Sequence, residues 1–363
     1  MITEQQMLEN LKKNKLALEP LQVSLTEGPS EVEKNRRFDA FVEVAWGEQK
    51  AKFVVECKAL STPKLFQGAL NQIKTSNIPQ GWYPLVFVPF LNQDQITELR
   101  KEGVSGIDLC GNCIVSIPGR FSVLRTGGIN RFTSSAPIKN IYRKNSSMVG
   151  RAFLARPQYN SVGDILSEIN QRNPLVKGYG KNPITFATVS KALKALEEDL
   201  IVDRQTNIRL LQTEKLLEKL AANYEPPKIK EKVLLKFDGG DQELRQWLFD
   251  RSKSSGLPIT TTGLSSVNLY AVMQRGETLS VYCPRTDEFL EKFPGVKTDK
   301  FPDLELVETE DELVYFDSRM VSDFWWASPV QTYLELMKGD KRDQETAEQV
   351  KTVILNDSQR KLI

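Results

Sequence analysis

Two periods alternate in the apolar positions of the chain, and the places where one gives way to the other outline its elements. Met7, Leu8 and Leu11 recur at helical spacing and predict a short amphipathic helix over 4–15. Period two takes over at 37–45, where Phe38, Ala40, Val42 and Val44 alternate with Asp39, Phe41 and Glu43. Past a Gly47-Glu48 turn, the run AKFVVECK predicts a second strand over 51–58. A helix is predicted over 63–75, a buried strand over 84–90 and a polar helix over 93–102. Short strands follow near 107–109, 113–117 and 121–125. Hairpin, helix, strand, helix and strands read as a mixed α/β domain over 1–127.

The polar, basic segment 128–145 predicts a linker. Helical periodicity returns over 146–155, 162–171 and 185–198. A hairpin, 200–203 and 208–211, and a helix over 214–224 follow. Three helices and a two-stranded wing are the order of a winged helix-turn-helix, assigned to 146–227. Residues 228–363 combine a helix near 242–252, a strand over 279–283 and a terminal helical pair from 329, an α+β domain. There the aromatic run 323–327 reads as core or interface, and Gly339-Asp340 as a capped turn. The fold class expected is multidomain, α/β plus α+β.

Composition changes this picture in three ways. The 363 residues include no histidine, which removes Ser-His-Asp triads, Cys-His nucleophiles and His-ligated metal sites. Any catalysis must run on carboxylates, lysine, amides, hydroxyls or a hard metal ion. Of the four cysteines, only Cys110 and Cys113 share CxxC spacing, so all read as reduced thiols. The net charge of +2 hides an asymmetry: residues 139–232 carry 17 basic and 10 acidic side chains, residues 241–363 carry 15 and 22. A basic middle is expected to face phosphate, and the acidic end to serve protein contacts or self-association. No stretch approaches the ~18 apolar residues of a membrane span, and no apolar region of a signal peptide follows the first residues. The expectation is a cytoplasmic protein without membrane contact.

The strongest chemical signal is Asp39 with Glu56-Cys57-Lys58 and a glutamine-bearing helix. The two acids lie on adjacent predicted strands, and period two puts Glu56 and Lys58 on one face. Asp39, Glu56 and the backbone carbonyl of Cys57 are oxygen donors suited to Mg²⁺ or Mn²⁺. Lys58 would orient water and offset charge on phosphoryl oxygens, and Gln72, in preference to Gln67, would position water or phosphate. The alternative is a solvent-exposed Glu/Lys pair. Asp108 and Asn112, near Gly106 and Gly111, read as a structural turn. On the 185–198 helix, Val189, Ala192, Leu193 and Leu196 form the apolar stripe. Thr188, Ser190, Lys191 and Lys194 fall largely on the remaining surface, the one to present to a DNA groove. Lys177, Lys181, Arg204 and Arg209 would reach phosphates or the minor groove of double-stranded DNA.

The stretches FDAFVEV, FVVECK and LFQGALNQIK resemble the PD-(D/E)XK superfamily of restriction-endonuclease-like folds over about residues 1–125. The resemblance implies a nuclease-like mixed sheet, and Glu9 as the carboxylate the first helix supplies. With the IDLCGN turn, LLQTEKLLEKLAANY and SPVQTYLELMKGDKRDQETAEQV, the whole chain resembles bacterial proteins classed with AbiEi-type antitoxins of type IV toxin–antitoxin systems. That implies a DNA-binding regulator or antitoxin tied to phage defence. The chain departs from the pattern by carrying the nuclease-like domain ahead of the winged helix. An Mg²⁺-dependent nuclease, a non-cleaving regulator of its own promoter and an adaptor bringing a protein partner to DNA are the functions to separate.

Overall fold

The computed structural model describes residues 2–13, 16, 18–29, 38–132, 140–173, 184–272 and 278–361. It is mixed α/β and divides into two compact units, Met1–Lys139 and Asn140–Ile363. In the first, α1 (Glu4–Lys12) precedes β1 (Gln22–Leu25), β2 (Ala40–Trp46) and β3 (Gln49–Cys57). Then come α2 (Pro63–Thr75), β4 (Trp82–Val88), α3 (Gln93–Glu102), β5 (Ser105–Asp108), β6 (Cys113–Ile117) and β7 (Phe121–Arg125). The seven strands stand in chain order in one sheet. β1, β2 and β3 form an antiparallel meander, β3, β4 and β5 run parallel, and β6 and β7 are antiparallel again. Parallel neighbours need crossovers, which α2 and α3 supply.

The apolar runs in β3 and β4 follow from burial on both faces. Val54, Val86 and Val88 pack under Phe66 and Ile73 of α2 and Leu99 of α3. Phe53, Val55, Leu85 and Phe87 face the other way, toward Met7 and Leu11 of α1. Caps set the helix limits. Thr62 caps α2 ahead of Pro63, and Asn92 with Gln95 forms the capping box of α3, which ends at Gly103 in the left-handed region.

The predicted linker is not free of structure at either end. Gly128 N–H donates to Asn112 Oδ1 at 2.8 Å and Arg131 to the Leu109 carbonyl at 2.9 Å, which holds the start on the first unit. A Cβ at position 128 would come within 2.3 Å of the Cys110 carbonyl, so only glycine fits there. At its other end, Ile141 and Tyr142 are buried in the second unit.

The second unit opens with α4 (Ser147–Ala155), β8 (Gln158–Tyr159), α5 (Val162–Gln171), α6 (Phe186–Glu198), β9 (Val202–Asp203), β10 (Ile208–Leu210) and α7 (Thr213–Ala222). β8 pairs with β10, giving a three-stranded sheet in the order β8-β10-β9. The chain continues through β11 (Ile229–Phe237), α8 (Asp241–Ser255), β12 (Thr260–Thr261), α9 (Gly263–Ser266), β13 (Leu279–Cys283) and α10 (Asp287–Leu290). It ends with β14 (Gly295–Lys297), β15 (Leu304–Thr309), β16 (Arg319–Val321), β17 (Phe324–Trp326), α11 (Pro329–Leu336) and α12 (Lys341–Arg360). Five of these strands form a sheet in the order β12-β13-β15-β11-β14. Phe324 is buried in its core, and Asp340 with Asp343 caps α12, in line with the readings of those two segments.

Every residue of α4 is buried. This helix packs on α5, α7 and α12, while α11 packs on α7 and α12. Residues 146–227 and 228–363, expected as two domains, fall within one unit, and their described helices share an interior. Among the described residues, no helix is long and apolar enough to cross a membrane.

Candidate functional site

The end of β3 gathers the predicted acids and lysine. Glu56 is 1 % exposed, and its Oε1 accepts from Lys58 Nζ. The alternative of a solvent-exposed Glu/Lys pair is therefore set aside. Asp39 stands just ahead of β2, whose ladder with β3 ends at the pair Ala40 and Val55. Its N–H donates to the Val55 carbonyl at 3.0 Å, which holds the strand entrance against β3. The Asp39 carboxylate turns to Cys57, whose N–H donates to Oδ2 at 2.7 Å.

Burial is the largest influence on Glu56 and raises its pKa, and the charges of Asp39 and Glu4 raise it further against the hydrogen bond from Lys58. Burial alone would lower Lys58, but the bond to Glu56 and the charges of Glu56, Asp39 and Glu4 outweigh it and raise the lysine. Burial likewise pushes up the Cys57 thiol, which leaves its backbone carbonyl as the oxygen donor the sequence suggests. Among the described residues, no three His, Cys, Asp or Glu side chains close on one metal-sized point.

Two members of the predicted set sit elsewhere. Glu9 is exposed on α1, on the side away from buried Met7 and Leu11. Glu4, also exposed, lies one turn before Met7, and its charge is the one from α1 that acts on Glu56, Cys57 and Lys58. Gln72 is exposed near the end of α2, which runs away from the tip of β3. Gln67 stands five residues, about 7.5 Å of helix, nearer that tip. Its Nε2 donates to Glu98 Oε1 of α3 at 2.5 Å.

The α6 surface divides as its periodicity requires. Val189, Ala192, Leu193 and Leu196 are buried, while Lys191 and Lys194 are exposed and meet no acidic partner among the described residues. Thr188 is occupied at the helix start, where its N–H and hydroxyl meet Thr185 Oγ1, and Ser190 is half-buried. Phe186 adds an aromatic ring, 56 % exposed, to the first turn. Arg209 is exposed on β10, and Arg204 on the hairpin tip reaches Glu197 at 3.6 Å. Lys177 and Lys181 lie outside the described residues.

No family model, curated protein or solved structure matches the chain.

Beside the β3 cluster, Asp108 closes the end of β5. It is fully buried and accepts from Leu91 N–H at 2.8 Å, Cys110 N–H at 2.7 Å, and Asn112 through its N–H at 2.8 Å and Nδ2 at 2.6 Å. With its acceptor sites filled by loop donors, Asp108 holds the turn together, as the sequence suggests. Ser61 joins the same edge: its Oγ accepts from Phe90 N–H at 2.9 Å, and its carbonyl accepts from Gln95 Nε2 at 3.1 Å. These bonds tie the loop after the cluster to the start of α3. The four cysteines are free thiols, with Cys57, Cys113 and Cys283 buried.

Proposed function

We propose that the protein binds double-stranded DNA through the α6 surface and hydrolyses phosphodiester bonds with Mg²⁺ at the tip of β3. The observation that carries this reading is the meeting of Asp39, Glu56 and Lys58 at one strand end. Helix, three antiparallel strands, helix and a strand parallel to the third is the sheet order that supports a PD-(D/E)XK-like first unit. Helix, strand, two helices and a hairpin whose second strand pairs with the first strand supports a winged helix in the second.

The donor set fits the metal. Asp39, Glu56 and the Cys57 carbonyl are hard oxygens, and Mg²⁺ keeps several waters while using one or two carboxylates, so a three-acid cage is not required. Mg²⁺ or Mn²⁺ there would activate water and polarise the phosphoryl group. The protein's own part is positioning and charge. The Cys57 N–H fixes the rotamer of Asp39, and the surrounding strands keep Glu56 from bulk water. Lys58 sets a cation where negative charge grows on the phosphoryl oxygens.

Plasmid incubated with the purified protein and Mg²⁺ should be cleaved, and Glu56→Ala or Lys58→Ala should abolish cleavage. Cleavage unaltered by both substitutions would remove the assignment.

A second reading is a non-cleaving regulator or antitoxin that binds its own promoter, in a toxin–antitoxin or phage-defence setting within the cytoplasm. The enclosure of Glu56 by Lys58 favours it, since a buried ion pair at a strand end also serves a scaffold. Footprinting at its promoter tests it: protection without cleavage supports this reading, and no protection at low salt counts against it. The acidic C-terminal region then offers contact to a protein partner or a second copy.

A further inference from the structure

The second unit holds a buried cation without a direct ion pair among the described residues. Arg151 sits in the middle of α4 and is 3 % exposed, yet no carboxylate lies within ion-pair distance of it among the described residues. Its Nη1 donates to Gln331 Oε1 at 2.8 Å and to the Leu313 carbonyl at 3.3 Å, and its Nε has no partner. A buried guanidinium left in this condition is costly, and proteins retain one where an anion completes it.

The surroundings show where that anion would enter. Arg151 and Gln331 line a cavity of about 490 Å³, a size that suits a small organic molecule. Leu220, Pro226 and Leu334 supply apolar wall. Of the other cations lining it, Arg143 is paired with Glu225 at 2.9 Å and Lys230 with Glu310 at 2.6 Å, and Asp311 also stands on the wall, so Lys144 and Lys228 bring the positive charge beside Arg151. Gln331 is held in place from its far side, since Nε2 donates to Tyr224 Oη at 2.9 Å and to Glu335 Oε1 at 2.8 Å. Glu335 in turn accepts from Gly263 N–H at 2.7 Å and from Tyr282 Oη at 3.2 Å. The carboxylate nearest to Arg151 in this chain of bonds is thereby committed to other donors.

We infer that this cavity binds a small organic anion, its carboxylate or phosphate held by Arg151 and its apolar body against Leu220, Pro226 and Leu334. The site is independent of the phosphodiester reading, because it uses no residue of the β3 cluster or of the exposed α6 surface. Lys144 and Lys228 attract the ligand, Arg151 gives the charge-assisted hydrogen bonds, and the apolar wall selects against inorganic ions.

Titration calorimetry of the full chain with benzoate, phenyl phosphate and neutral benzyl alcohol tests the inference. At least one of the two anions should bind at millimolar concentration or tighter, and benzyl alcohol about tenfold more weakly or worse. Whichever anion binds more tightly identifies the carboxylate or the phosphate as the recognised group. Arg151→Met should weaken anion binding by about tenfold or more. Lys228→Glu, an exposed change that leaves the interior intact, should weaken it by a smaller factor and decides the matter if the first variant does not fold. Absence of binding by both anions, equal binding of benzyl alcohol, or anion affinity unchanged in the folded variants would overturn it.

Discussion

The β3 tip and the α6 surface handle charge in opposite ways. At the tip, Glu56 is withdrawn from water and bonded to Lys58, and Asp39 is fixed by a backbone N–H. On α6, Lys191 and Lys194 stand in solvent without an ion pair among the described residues. Withdrawn charge is costly unless something organises it, so its position carries geometric information. Exposed charge costs little and specifies no geometry, which suits contact with a phosphate backbone whose sequence is not read by charge alone. One arrangement fits chemistry on a bond; the other fits adhesion to a polyanion.

Substitutions can separate the two. The largest effect is expected for Glu56→Ala or Lys58→Ala, with plasmid cleavage reduced about 10³-fold. DNA affinity, read by fluorescence anisotropy, should stay within about twofold, because the free lysines are untouched. A parallel loss of affinity would mean that both regions form one binding surface. Next comes Asp108→Ala, which strands four donors at the end of β5. Urea denaturation should show about 3 kcal/mol of lost stability for the first unit, and less than 1 kcal/mol would mean that the loop donors re-pair easily. Replacing Lys191 and Lys194 together by alanine should lower the slope of log affinity against log salt by about 2. An unchanged slope would move the DNA surface off α6. Thr185→Ala, which removes the α6 cap, should cost about 1 kcal/mol in the second unit's unfolding. Gln72→Ala should leave cleavage where it was, since that side chain lies far along α2; a tenfold loss would restore its proposed part.

Much of the first unit was legible because caps and periodicity agree there. Thr62-Pro63 and the Asn92/Gln95 box set α2 and α3 at the limits expected, and β6 and β7 also fall where alternation put them. β1 and β8 were not foreseen, since four and two residues hold too little pattern and owe their form to pairing with β2 and β10. The acids and lysine were legible from period two, but the hydrogen bond that holds Asp39 to the Cys57 N–H is a product of the folded hairpin and left no mark in composition. Glu4 was within reach: it stands three residues before Met7, in line with Met7, Leu8 and Leu11, whereas Glu9 falls off that line. Gln72 was chosen from residue type alone, and its place near the end of α2 is a property of the helix length. Arg151 was missed, although a lone cation amid SMVG and AFLA was the available signal.

The wholly enclosed α4 has a practical meaning for anyone wishing to cut this protein into pieces. A fragment ending at Pro227 would lose α11 and α12 and leave the inner surfaces of α4 and α7 wet. The three-helix segment is thus not a transplantable cassette. That segment and the last helices stand or melt as a single cooperative block.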